Sequence, residues 1–101
     1  MSERRRSQRK ERVLNIQYRL KRSSNGSNDR SWHLGVTHDM SAHGISFVSD
    51  TTGSPGDVLE LQVIFSGILD VVKAEGRVIR VSEKVPGKQY LIAVELEKHL
   101  D

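Results

Sequence analysis

The chain contains no cysteine, only two prolines and few aromatic residues, 5% of its 101 positions. Without cysteine there is no disulfide framework and no thiolate metal site. No apolar run approaches the ~18 residues of a membrane-spanning helix. The basic leader has no apolar segment of the signal-peptide kind, and the expectation is a cytoplasmic protein with no membrane contact. Period-3.6 patterning is missing as well, except for a helical turn at most over the last few residues. What is present suits one small domain: 36% apolar residues supply a single core, and 29% charged residues are near the globular norm.

The net charge of +3 conceals an asymmetry. Residues 1–12 carry six basic groups and two acidic ones, a net +4, while the ten basic and eleven acidic groups that follow give −1. The positive field therefore belongs to one arm, which suits an anion: nucleic acid, a phosphorylated ligand or acidic lipid. An arm this polar is expected to be mobile without its ligand.

After the arm the pattern is of period two, which means strands. Leu14, Ile16, Tyr18 and Leu20 alternate with polar residues, and Trp32, Leu34 and Val36 resume the alternation after a polar loop over 22–30. Ile45, Phe47 and Val48 form a third strand, and Leu59, Leu61, Val63 and Phe65 a fourth. Ser66-Gly67 reads as a tight hairpin, and a long strand over 68–81 carries Gly76 as a bend or bulge. Pro86-Gly87 turns the chain into a last strand with Tyr90, Ile92, Val94 and Leu96. Tyr18 and Trp32 are expected in the core. Six short strands joined by Gly/Pro turns predict an all-β, antiparallel sheet closed into a small barrel, because closure removes its exposed edges. The expected organisation is an arm over 1–12, a barrel over 13–97 and a tail over 98–101.

Two segments do not read as core: Arg4-Arg5-Arg6-Ser7-Gln8-Arg9 and Asp39-Met40-Ser41-Ala42-His43-Gly44. Arg5-x-x-x-Arg9 followed by Asp39-x-Ser41-x-x-Gly44, in this order and at this separation, resembles the paired signature of PilZ domains, the bacterial receptors for cyclic di-GMP. The resemblance covers almost the whole chain and implies a six-stranded β-barrel. Many PilZ domains add a C-terminal helix, for which little sequence remains here. It also implies a binding domain and not an enzyme, with cyclic di-GMP as ligand, no further cofactor and an unidentified downstream protein as partner.

The chemistry of the residues is consistent with that ligand. Arginine forks match phosphates and the O6/N7 edge of guanine, which suits Arg5 and Arg9. A carboxylate accepts the N–H donors of the other guanine edge, the role of Asp39, and the Ser41 hydroxyl adds a further bond. Gly44 lets the chain turn with positive φ or lets the nucleotide approach closely. If the segment is extended, Asp39, Ser41 and His43 face one side. His43 and Arg80, the latter for stacking on a guanine face, are additional candidates. An arginine directly before the pair, here Arg4, resembles the type that takes up two intercalated ligand molecules. The competing readings are a small barrel that binds nucleic acid nonspecifically through the arm, and a degenerate PilZ adaptor without ligand. A Ser–His relay is not expected from Ser41 and His43, because i,i+2 neighbours on a strand lie about twice the hydrogen-bond reach apart. His33 and His38 differ by an odd number and face opposite sides of a strand, so no metal site is expected.

Overall fold

A computed structural model describes residues 13–65 and 70–100. Residues 1–12, with Arg4, Arg5 and Arg9, and the expected Ser66-Gly67 hairpin lie outside the described residues. The elements are β1 (Asn15–Arg22), β2 (His33–Met40), β3 (Gly44–Ser49), β4 (Val58–Phe65), β5 (Asp70–Val85) and β6 (Gln89–Leu100). All neighbours pair antiparallel, and the sheet closes as a barrel in the order β1-β2-β3-β6-β5-β4. No element among the described residues is helical, and β6 continues as strand to Leu100.

The core follows from the alternation. Leu14, Ile16 and Tyr18 from β1 and the residue before it meet Ile45 and Phe47 of β3, Leu59, Leu61 and Val63 of β4, Val78 of β5, and Ile92 and Val94 of β6. Phe47 is fully buried, with the Tyr18 ring 4.7 Å from its own. Gly76 marks a register shift in the β5–β6 pairing, as its position predicts, and it is there for space. A Cβ at Gly76 would stand 2.3 Å from Val94 Cγ1 and 2.9 Å from the Glu95 carbonyl oxygen, so only glycine lets β6 cross so closely.

β2 departs from the expectation. Trp32, Leu34 and Val36 face solvent, while Gly35 and Thr37 face inward. The interior enforces this. A Cβ on Gly35 would lie 2.8 Å from the Val48 carbonyl oxygen and 3.1 Å from Phe47 Cδ1, and the Thr37 hydroxyl accepts a 2.9 Å bond from the Leu14 N–H. Trp32 is thus not core; the Arg19 guanidinium lies over its ring at 4.7 Å and also bonds Glu60 at 2.7 Å.

Two loops are tied together at the barrel end where β1 finishes. The buried Asp57 carboxylate accepts bonds from the Ser24 N–H (2.8 Å), the Ser24 hydroxyl (3.0 Å) and the Ser54 N–H (3.1 Å). On the adjoining wall the Tyr18 hydroxyl shares a 2.7 Å bond with Ser49. Burial pushes the Tyr18 phenol above its ordinary value of 10.0, against the Ser49 bond, which lowers it, and with a smaller push from Asp50. The phenol must therefore stay protonated to remain buried. The stability this contributes is complete below the unfolded value near 10 and is lost as pH rises through the higher folded value. Denaturation midpoints measured from pH 8 to 11.5 should fall more steeply for the wild type than for Tyr18→Phe. Parallel curves would show that the phenol is not held neutral.

Candidate functional site

Pairing register places the sequence candidates on the outer wall. Asp39 pairs with Ser46, Ser46 with Ala93, and Ala93 with Arg80, so these four residues form one row across β2, β3, β6 and β5. Their inward neighbours Phe47, Ile45, Ile92 and Val94 are buried, so the row faces out. Asp39 and Arg80 are exposed at its two ends and stand about 14 Å apart along the wall, at three strand spacings. The floor between them is made of small residues, Ser46 and Ala93, with Gly44 in the adjacent outward row beside Glu95 and Arg77. The result is a shallow ledge with a carboxylate at one end and a guanidinium at the other.

Both end residues owe their orientation to register shifts. In β2 the pairing passes from Thr37↔Phe47 to Asp39↔Ser46, which leaves His38 as an extra residue. In β5 it passes from Val78↔Val94 to Arg80↔Ala93, which leaves Ile79 extra and 54% exposed. Thr37 and Val78 point inward, so strict alternation would also turn Asp39 and Arg80 inward. Each inserted residue flips its successor to the outside.

The Asp39-to-Gly44 segment is not extended throughout. Its centre is the turn of the β2–β3 hairpin, closed by Ser41. The Ser41 N–H donates to the Gly44 carbonyl at 2.9 Å, while its hydroxyl accepts from the N–H groups of His43 (3.3 Å) and Gly44 (3.2 Å). Asp39, Ser41 and His43 are therefore not one flat line of side chains. Ser41 thus meets the backbone of His43. Gly44 has no positive φ; positive-φ glycines among the described residues are Gly26, Gly56 and Gly87. Gly44 instead serves close approach, since a Cβ there would lie 3.1 Å from the Val94 carbonyl oxygen. Asp39 accepts one bond, from the Met40 N–H at 3.0 Å, and neither it nor Arg80 has an ion-pair partner among the described residues.

The arm joins the wall beside this ledge. The Leu14 carbonyl accepts the Thr37 N–H at 2.8 Å, so residue 13 enters next to the His38 insertion. Arg9 is four residues upstream of Val13, within about 13 Å of extended chain from that point. Sequence reasoning missed Ser46 and Ala93. The parity of β3 and β6 against buried Phe47 and Ile92 is the signal that finds them. Among the described residues no three histidine, aspartate or glutamate side chains group as a metal site requires, and no helix is long and apolar enough to cross a membrane.

The closed six-stranded barrel carries an open, charged ledge on its outer wall. The model of the PilZ domain matches residues 3–101, and the chain belongs to that family. PilZ domains are binding and adaptor domains that generally receive cyclic di-GMP. No curated protein and no solved structure matches the chain.

Proposed function

We propose that this chain is a cytoplasmic receptor for cyclic di-GMP in a bacterial cell, with the nucleotide on the Asp39–Arg80 ledge and the arm closed over it. One observation carries the reading: the arm is attached one step from an exposed row that begins in a carboxylate and ends in a guanidinium, neither of them ion-paired among the described residues. Asp39 would accept guanine N–H donors, and Arg80 would stack on a base or fork its O6/N7 edge. Arg4, Arg5 and Arg9 would neutralise the phosphodiesters. Ser41 and Gly44 would chiefly shape the hairpin that presents Asp39, and His43 stands at its tip. Ordering the arm costs on the order of 8–16 kcal/mol in gross backbone entropy, and each charged bond returns roughly 1.5–3 kcal/mol, so several must form together. The ordered arm is the signal, which changes the surface offered to a downstream protein.

Titration calorimetry with cyclic di-GMP, paired with amide NMR, tests this. The expected result is saturable binding with shifts in both Arg4–Arg9 and Asp39–Gly44, two ligand molecules per chain, and no response to GMP. A ratio of one would remove the intercalated pair and leave the receptor. Absence of any shift at about 1 mM ligand would leave the degenerate adaptor or the nucleic-acid barrel. Binding of arbitrary nucleic acid that collapses with salt would favour the nucleic-acid barrel.

A further inference from the structure

The alternating apolar positions of β1, β3 and β4 mostly face inward, but those of β2 face out. Trp32, Leu34 and Val36 are 37%, 69% and 39% exposed, and the interior holds them there through Gly35 and Thr37. A slip of one residue would drive Leu34 or Val36 into space already filled by Phe47 and Ile16. The outward row through Val36 continues with Val48 and Leu91, so the apolar surface spans three strands. A contiguous apolar surface of this kind marks a contact.

The chain's own arm does not fit as the cover, because residues 2–12 contain no apolar side chain. An anionic bilayer does not fit either. Asp50, exposed next along the chain from Ser49, would be repelled by it. We propose that this face binds a second copy of the same chain. A two-fold axis through Gly35 lays Leu34 of one copy on Val36 of the other, with the sheets about 10 Å apart. Trp32, one residue beyond the end of the ladder at His33, lies three residues from that axis on one side, and Asp39 three ladder steps on the other once the extra His38 is discounted. Arg19, stacked on Trp32, is thereby brought against Asp39 of the second copy, twice over. Arg19 and Asp39 are complementary under that symmetry, and the region after residue 12 nets only −1, so two barrels do not repel strongly.

This inference does not depend on the receptor reading. One Asp39 carboxylate cannot serve a nucleotide and a second copy together, so the test is made without nucleotide. Sedimentation velocity from about 10 μM to about 1 mM should show the mass doubling, in the weak-to-moderate affinity range. Leu34→Glu should stay monomeric throughout with an unchanged thermal melt, since Leu34 takes no part in the core. Asp39→Arg should weaken the association at least tenfold and keep the fold. A wild-type monomer at about 1 mM would overturn the proposal, whatever else the face captures. A dimer indifferent to Leu34→Glu would overturn it equally.

Discussion

Replacing Phe47 by alanine is expected to cost about 3–5 kcal/mol of folding stability, the usual loss for a large aromatic truncated in a close-packed core. The ring has no solvent exposure, contacts Tyr18 at 4.7 Å and fills the space that Gly35 leaves. No neighbour can close the void easily. Gly35 has no side chain to move, and Ile16 and Ile92 are themselves fully packed. For a domain of this size each kcal/mol corresponds to roughly 4–8 °C, so the melting temperature should fall by at least about 12 °C. Leu34→Ser is the matched control. Leu34 is one of the chain's apolar strand residues, but it faces solvent, and its loss should change the monomer's stability by no more than about 0.5 kcal/mol. Thermal melts of dilute protein distinguish the two. Equal losses would mean that the two faces of β2 have been exchanged.

That comparison separates what the sequence shows from what it hides. Alternation alone identified β1, β3, β4 and β6 and their buried faces, because each carries apolar residues at every second position. It failed on β2, where the alternation is just as clear but inverted. Hydrophobic period reports which residues share a face, not which face meets the core. Gly35 was the available signal, since a glycine within a strand marks a close approach from inside. Gly76, read as a bend or bulge, does fall at a register shift, and Val94 takes the space beside it.

The candidate site was legible as residue types and not as geometry. Asp39 and Arg80 are separated by forty-one positions in sequence, and both reach the outer wall through an inserted residue, His38 or Ile79. Nothing local in Thr37-His38-Asp39 or Val78-Ile79-Arg80 announces an insertion. It is set by partners distant in the chain: Leu14 bonding Thr37 on one side, and Asp57 bonding the backbone of Val78 on the other. Long-range pairing thus decides which side of the wall a charge occupies. The small floor of Ser46 and Ala93 emerges only when the four strands are aligned.

Reversing the charge at that ledge gives the largest functional effect. Asp39→Arg should weaken cyclic di-GMP binding by about 100-fold or more, because at least two charge-assisted bonds of roughly 1.5–3 kcal/mol each are lost and a cation then faces guanine donors. Folding should be nearly unaffected: Asp39 is exposed, accepts only the Met40 N–H at 3.0 Å and has no ion-pair partner among the described residues. Single truncations Arg5→Ala and Arg9→Ala should each cost roughly 10–100-fold, one charged bond apiece. The pattern matters more than any one value. If arm and ledge grip the same molecule, losses at Asp39 and Arg5 should be non-additive in a double-mutant cycle, since an arm without a nucleotide on the ledge has nothing to close upon. Calorimetry of the four proteins supplies the coupling. Strictly additive losses would place arm and ledge on separate ligands, and undiminished affinity in Asp39→Arg would move the nucleotide off this wall altogether.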